Sequence, residues 1–197
     1  MAENKIKYGL KSVYYAKATI SSTGSATYST PVALPGAVNL SLAPQGDTNK
    51  FYADNIVYWT GVSNTGYEGD LELARLPESF KTDILGYKRD ANDMLFEDAN
   101  ANPEHFALLF QFEGDQKATR HVMYNCVATR ADSAGSTKNE SIEPQTETVS
   151  INCTSIYVST LGAAGMDIVK GESATSTDTS TYNNWFSTVY VPATLHT

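Results

Sequence analysis

The sequence predicts a mainly β (α+β) protein, a β-sandwich or barrel-like fold with one short helix on its flank. Apolar and polar residues alternate with a period of two over several stretches, which is typical of half-buried strands. Tyr, Thr and Val are plentiful, and such residues favour pleated sheets. Only one stretch has a clear helical period. The 197 residues are enough for a real core, and we expect a single domain over 1–197.

Three stretches carry the clearest strand pattern. VNLSL and TETVSINCTS each alternate, and FALLFQFEGDQKATRHVMYNCVAT predicts a hairpin whose turn lies at EGDQK. Residues two apart on a strand share a face, so each arm has one apolar side. The residues expected to share a face within each arm are Val38, Leu40 and Leu42; Phe106, Leu108, Phe110 and Phe112; Val122, Tyr124 and Cys126; and Val149, Ile151 and Cys153.

The stretch LPESFKTDILG predicts the flanking helix, near residues 77–85. Pro77 suits the first helical position, and Gly86 suits the position just past the end. The apolar residues of this stretch recur at i, i+4 and i+8 and form one stripe: Leu76, Phe80 and Ile84. We expect this stripe to lie across a sheet.

Two further segments are expected to project from the sheet. Residues 45–66 combine Asp, Asn and Gly turn residues with aromatic residues, which predicts a projecting hairpin. Residues 171–197 begin with a Ser/Thr-rich stretch and continue into the apolar WFSTVYVP, which predicts a C-terminal arm that docks on another surface. The candidate assembly residues of the two segments are Phe51, Tyr52, Tyr58, Trp59, Trp185, Phe186 and Tyr190.

A row of acids precedes the helix. In YEGDLEL, a strand would place Glu68, Asp70 and Glu72 on one side and Leu71 and Leu73 on the other. Same-face neighbours on a strand lie about 6.5–7 Å apart. The row could be a solvated face, a charged functional surface or the acid pair of an inverting glycosidase. Three equivalent acids do not supply the two different environments that acid–base catalysis needs, so the first two interpretations are favoured.

The acidic composition excludes some classes of partner. A formal net charge of −8 argues against holding nucleic acid or an anionic membrane through the overall field. No apolar run approaches the roughly 18 residues of a membrane span, and no apolar signal segment is visible at the N-terminus. The expected compartment is therefore reducing, and we expect Cys126 and Cys153 to be free buried thiols.

The chain nominates no catalytic, cofactor or metal site. His121 and Cys126 are five residues apart on one predicted strand, so we expect them to point to opposite faces and not to share an ion. His105 and His196 have no companions at ligand spacing. The nucleophile-elbow, zinc-protease, Walker A and dinucleotide-binding motifs do not occur.

Several long segments together resemble the major tail proteins of long-tailed, non-contractile bacteriophages of Gram-positive hosts, the subunits of the tail tube. The resemblance covers nearly the whole chain in order. It is carried by YGLKSVYYA, TPVALPGAVNLSLAPQGDTNKFYADNIVYW, GYEGDLELARLPESFKTDILGYKRD, FALLFQFEGDQKATRHVMYNCVATR, ESIEPQTETVSI and WFSTVYVP.

The resemblance implies a structural virion protein, made and assembled in the host cytoplasm, with no enzyme activity and no cofactor. Its subunits would close into hexameric rings that stack head to tail into a tube through which genomic DNA passes without sticking. The implied partners are further copies, the tail terminator, tape-measure and distal tail proteins, and no membrane. We expect the C-terminal arm to dock on a neighbouring subunit of this tube.

In such a tube Glu68, Asp70 and Glu72 are candidate lumen-facing acids. A basic channel would hold DNA through counterion release, whereas an acidic one keeps it mobile. An outer solvated face is the competing interpretation. The alternative function is a carbohydrate-binding or glycan-cleaving β-sandwich of a phage tail tip, which would use the 12 tyrosines and two tryptophans as a sugar platform.

Overall fold

A computed structural model describes residues 4–133, 135–137 and 144–195, so His196 lies outside the described residues. Within them the chain forms fifteen strands and two short helices. In chain order these are β1 (Lys7–Ile20), β2 (Ala26–Tyr28), β3 (Val32–Ala33), β4 (Ala37–Gln45), β5 (Thr48–Ala53), β6 (Ile56–Val62), β7 (Gly66–Leu73), α1 (Glu78–Asp83), β8 (Lys88–Arg89), β9 (Leu95–Phe96), β10 (Phe106–Gly114), β11 (Thr119–Ala128), β12 (Glu147–Thr154), β13 (Ile156–Val158), β14 (Met166–Ile168), β15 (Lys170–Glu172) and α2 (Thr179–Asn183).

The largest sheet joins nine strands in the order β2-β1-β10-β11-β12-β7-β4, with β3 beside β1 and β15 beside β11. Its pairings are antiparallel. Strands β1 and β4, far apart in this order, also contact each other, so the sheet curls towards a barrel. The predicted mainly β, sandwich-like fold is confirmed.

Strand β10 lies between two apolar cores. The even-numbered side chains Phe106, Leu108 and Phe110 face the first core, and Ala107 and Leu109 face the second. All five are buried, because each face of the strand is covered. The predicted shared face of the first arm is therefore confirmed. The first core also receives the predicted shared face of β12: Val149, Ile151 and Cys153.

Strand β11 contains a β-bulge. The pairings Phe106–Cys126 and Leu108–Met123 leave two residues of β11 opposite one residue of β10. The buried side chain of Asn125 fills this irregularity and donates hydrogen bonds to Thr154 Oγ1 at 2.9 Å and to the Ser155 carbonyl at 3.3 Å.

The bulge changes which side chains share a face. Val122 and Tyr124 face the second core, whereas Cys126 faces the first. The prediction that these three residues share one face is wrong, because one extra residue reverses the alternation beyond it.

Strand β4 has a similar irregularity near its start. The register shifts between Ala37 and Asn39, and Ala37 packs against the first core. Val38 is 53% exposed, so its predicted place on the core face is wrong. Leu40 and Leu42 pack against the first core on the predicted shared face.

Helix α1 lies within the predicted range and differs at its ends. Pro77 is the N-cap, with φ −60° and ψ 143°, and is not the first helical residue as predicted. Gly86 follows the helix with a φ of +77°, a conformation that glycine adopts without strain. No helix among the described residues is long and apolar enough to cross a membrane.

The apolar stripe of the helix packs on the sheet as predicted. Leu76, Phe80 and Ile84 are 1%, 0% and 0% exposed. The Phe80 ring meets those of Tyr15 and Phe106 edge-on, with centroids 5.2 and 5.5 Å apart. The helix therefore anchors the start of β10 to β1.

The two cysteines lie side by side in the first core. Cys126 on β11 and Cys153 on β12 are directly opposite in the register, and their sulfurs are 2.6 Å apart. Both are buried and carry free thiols. Burial raises the pKa of the Cys126 thiol, and the neighbouring Cys153 raises it further. The predicted burial is confirmed.

Candidate assembly surfaces

The three acids lie on the outer side of strand β7, which runs between β12 and β4. Glu68 and Asp70 are exposed and Glu72 is half-buried, whereas Leu71 and Leu73 are buried on the other side. The predicted division of the strand into an acidic and an apolar side is confirmed. We call the outer side of β4, β7 and β12 the polar face.

The other residues of the polar face are small and carry no charge. They are Asn39, Ser41 and Ala43 on β4, and Thr148, Ser150 and Asn152 on β12. Ser150 Oγ donates to Asp70 Oδ1 at 2.7 Å, and Thr146 Oγ1 donates to Glu72 Oε1 at 2.6 Å. Within the described residues none of the three acids pairs with a lysine, arginine or histidine. The negative charge of this face is therefore not cancelled locally.

This geometry does not favour a glycosidase pair. Such a pair needs one carboxyl group in surroundings that raise its pKa and a second that stays charged. Glu68 and Asp70 are both exposed on the open side of a sheet, with small polar neighbours across the strands. Neither of two cavities, of about 320 and 390 Å³, is lined by any of the three acids.

Strands β5 and β6 form a two-stranded ribbon, and among the described strands they pair only with each other. The ribbon continues β4 and β7 beyond the sheet, because Gln45 pairs with Gly66 at its base. Its tip is formed by Asp54 and Asn55, with φ values of 52° and 63°. Two such residues form the type I′ turn that matches the twist of a hairpin. The predicted hairpin within residues 45–66 is therefore present.

The ribbon carries apolar side chains on both faces. Phe51 lies opposite Trp59, and the next residue along, Tyr52, lies opposite Val57 on the other face. The exposed apolar residues of the ribbon are Phe51, Tyr52, Ile56, Val57, Tyr58, Trp59 and Val62. The sequence analysis selected the aromatic residues of the ribbon and missed the aliphatic ones, although both kinds lie on the same predicted hairpin. Exposed apolar groups in this density are typical of an interaction surface.

The C-terminal segment packs on its own subunit. Strand β15 pairs with β11, and Trp185 is 3% exposed in the second core. Its Nε1 donates to the His121 carbonyl at 3.3 Å. Phe186 stacks on Tyr14, with ring centroids 4.9 Å apart. Trp185 is thus buried and Phe186 half-buried within the subunit, and docking of the segment on a neighbouring subunit stays a prediction.

The same segment contains a helix that the sequence analysis did not predict. Asp178 caps α2 by accepting hydrogen bonds from the backbone N–H groups of Ser180 and Thr181 at 3.0 and 3.1 Å. An Asp at the N-cap was the available signal, but the Ser/Thr-rich composition around it is typical of a flexible spacer. Of the candidate assembly residues here, Tyr190 is the exposed one, at 44%.

His121 and Cys126 both face the first core, because the bulge lies between them. The His121 ring stacks on Phe110 with centroids 5.0 Å apart, and Phe110 and Cys126 belong to the same core. The prediction that the two residues point to opposite faces is wrong. Within the described part of the chain, no group of three or more His, Cys, Asp or Glu residues could hold a metal ion.

Burial is the main electrostatic influence on His121. Burial lowers the pKa of the imidazole, the ammonium groups of Lys170 and Lys7 add to this effect, and the Glu172 carboxylate, 3.5 Å from Nδ1, partly opposes it. Together they place the pKa at about 4, below the usual 6.5. The ring is therefore neutral at pH 7. Its Nε2 is buried and has no hydrogen-bond partner among the described residues.

Comparison with known proteins places the chain in a family. A family model described as "Phage tail tube protein" matches residues 2–173, a range that contains the polar face and the ribbon. A search of curated proteins and a search of solved structures each gave no match. The match extends over most of the 197 residues. The chain belongs to the phage tail tube protein family, and its role is that of a structural component of the virion.

Proposed function

We propose that this protein is the major tail protein of a long-tailed, non-contractile phage of a Gram-positive host. Its subunits close into hexameric rings, and the rings stack head to tail into the tube through which genomic DNA passes. Family membership over residues 2–173 supports the tail-tube role. The ring, the stack and the passage of DNA are the further steps that we infer.

The observation that carries this proposal is the ribbon of β5 and β6. Seven of its apolar side chains are exposed in the isolated subunit, on both faces of a two-stranded element. Burial of a large apolar side chain contributes roughly 1.5–3 kcal/mol. In a polymer built from repeated head-to-tail contacts, each copy would bury the ribbon of its neighbour. Phe51, Tyr52, Tyr58 and Trp59 are the residues that we assign to this contact.

The polar face supports an inner wall. Its three central acids have no cationic partner within the described residues, and their neighbours across the strands are small. Six copies would line the lumen with Glu68, Asp70 and Glu72. A wall of this kind repels the phosphate backbone and offers it no counterion release. DNA would therefore pass without binding to the tube.

The edges of the sheet support ring closure. Strand β4 ends the path of the large sheet, and β2 and β3 lie at the opposite side of it. Unpaired strand edges promote pairing with another chain. In a ring such edges would join neighbouring subunits. We further propose that assembly takes place in the host cytoplasm, with the distal tail, tape-measure and tail terminator proteins as partners and no membrane.

A sugar-binding module is the less supported function. A sugar platform needs exposed aromatic rings, and Trp185 is 3% exposed. The exposed rings of the ribbon are divided between its two faces. They therefore do not form one flat stacking surface.

Negative-stain electron microscopy of the purified protein tests the proposal. We expect rings or tubes with a central hole at high protein concentration or with the distal tail protein as initiator. A matched variant carries Trp59→Ser and Val62→Ser, two exposed ribbon positions, and should remain folded without polymerising. Particles that stay at 21.4 kDa under both conditions and bind glycans would support the sugar-binding function instead.

A further inference from the structure

The two ends of the barrel-like sheet differ in chemistry. Strand β4 ends and β7 begins at one end, where Gln45 pairs with Gly66. We call it the ribbon end. The opposite end holds α1, which follows the last residue of β7 closely, and the small hairpin of β8 and β9. That hairpin is tied to the end of β11, because Glu97 pairs with Arg130 at 2.6 Å. We call it the helix end.

A cavity of about 320 Å³ opens between β4 and the β10–β11 hairpin, next to the first residues of β7. Its walls are partly apolar, with Leu42, Phe112 and Met123, and partly polar, with Ser41, Tyr67 and His121. The charged residues of its lining are Lys7 and Lys170, and no carboxylate contributes to it. Lys170 is paired with the Glu172 carboxylate at 3.4 Å, whereas Lys7 forms no ion pair among the described residues and supplies the positive charge at the edge of this site.

The wall of this cavity includes the neutral ring of His121. The Glu172 carboxylate 3.5 Å from Nδ1 favours the tautomer with the proton on that nitrogen, which leaves Nε2 as a hydrogen-bond acceptor. Nε2 has no partner among the described residues. An unpaired buried acceptor costs free energy, and a donor brought by an incoming group would remove that cost.

The hairpin of β8 and β9 has the complementary chemistry. Its exposed apolar residues are Met94, 61% exposed, and Phe96, 41% exposed. Residues 88–98 hold four acids and two bases: Asp90, Asp93, Glu97 and Asp98, and Lys88 and Arg89. The net charge of this hairpin is therefore negative.

Its loop is also held in one conformation before any contact. Asp90 Oδ1 accepts hydrogen bonds from the backbone N–H groups of Asn92 and Met94 at 2.9 and 2.8 Å. Arg89 Nη1 lies 2.7 Å from Asp93 Oδ1. A preorganised loop loses less conformational freedom on binding than a flexible one.

We propose that the β8–β9 hairpin of one copy docks in the Lys7–Lys170 cavity of the next, with Met94 against its apolar wall of Leu42, Phe112 and Met123. The occupant is a second copy of this chain, because the two surfaces lie at opposite ends of the sheet and have opposite charge. Head-to-tail stacking brings such ends together and repeats the contact along a filament. This inference rests on the proposed tube function and names the site at which one subunit receives the next.

The critical concentration for assembly of purified protein, measured by sedimentation, tests the contact. Met94→Ser should raise it at least about tenfold, because a buried Met side chain contributes more than the free energy of one tenfold change. Met166→Ser is the matched control, since Met166 is an exposed methionine outside both surfaces, and it should assemble like the wild type. Equal critical concentrations for the two variants would overturn the proposal.

A charge reversal at the edge of the cavity tests the electrostatic part of the contact. Lys7→Glu should raise the critical concentration, because it places a negative charge where the acidic hairpin docks. Lys11→Glu, a control on the same strand outside the cavity lining, should leave it nearly unchanged. Both side chains are exposed, so circular dichroism should show folded subunits. Equal effects of the two substitutions would contradict the docking site.

Crosslinking separates this proposal from the tube function. Subunits with Met94→Cys and Lys7→Cys should form a ladder of covalent multimers with a short bismaleimide once assembled, while Met94→Cys with Lys11→Cys should not. The native thiols are buried and should not react. Normal tubes without a ladder would overturn the docking site and leave the tube intact. Failure of the wild-type protein to form any ring or tube would overturn the proposed function and, with it, this contact.

Discussion

The indole Nε1 of Trp185 donates a hydrogen bond to the His121 carbonyl at 3.3 Å, and this contact fixes the C-terminal segment to strand β11 of the same subunit. The Trp185 ring lies in the second core with Leu109 and Tyr124. The segment after β15 is therefore part of the subunit fold, and its removal would open that core.

Trp185→Ala should lower the free energy of unfolding by about 3–5 kcal/mol, because it removes a large buried ring and leaves a cavity. Tyr190→Ala is the control, since that ring is 44% exposed and should cost much less. Chemical denaturation of the two variants measures both values. Equal midpoints for Trp185→Ala and the wild type would mean that the segment does not stabilise the subunit.

Phe80→Ala should cost about 3–5 kcal/mol of stability for a similar reason. The ring is fully buried between the rings of Tyr15 and Phe106. Ser79→Ala, at an exposed position of the same helix, is the matched control. Thermal unfolding curves of the two variants decide the matter, and coincident curves would show that α1 does not pack through Phe80.

The pKa of His121 predicts a pH dependence of stability. The group has a pKa of 6.5 when free and about 4 in the folded subunit, so between these values the unfolded chain binds more protons. The free energy of unfolding should therefore fall as the pH falls from 6.5 to 4. Urea denaturation across this range measures it. His121→Phe should show a weaker dependence, and parallel curves for the two proteins would contradict the assignment.

The acids of the polar face predict an effect on DNA transport. Replacing Glu68 and Glu72 with Gln and Asp70 with Asn should leave the fold intact, because repulsion between exposed acids ~7 Å apart is only about 0.6 kcal/mol. Tubes should still form. DNA ejection from virions built with this subunit should be slower than from the wild type, since the wall repels DNA less.

A triple Lys variant at the same positions should slow ejection further, and salt should reduce that extra effect because it screens the charges. Ejection kinetics at two ionic strengths measure both effects. Unchanged kinetics in the Lys variant, with full incorporation of the subunit confirmed, would place these residues on the outside of the tube.

Local alternation predicted the parts of the fold where strands are regular. It assigned Phe106, Leu108 and Phe110 to one face because β10 has no irregularity within that run. It failed at Val38 and across Tyr124 and Cys126, because a bulge adds one residue and leaves no mark in an apolar pattern. The face on which such a residue lies depends on how its strand pairs with the neighbouring strand. The sequence of one strand alone does not contain that information.

The sites divide in the same way. The acid row of β7 and the hairpin within residues 45–66 are local features, and the sequence predicted both, although it did not place the turn at Asp54 and Asn55. The burial of Trp185 depends on residues about 60 positions earlier in the chain, such as His121 on β11. The cavity between Lys7 and Lys170 also joins distant segments, so only the folded chain shows it.

Helical reconstruction by electron cryomicroscopy, from tubes of the purified protein, tests the central claim most directly. We expect a hollow tube of stacked hexameric rings, with Glu68, Asp70 and Glu72 facing the lumen and the ribbon of β5 and β6 covered by neighbouring copies. A solid filament, or a tube whose lumen is lined by another surface while the ribbon stays exposed, would contradict this account.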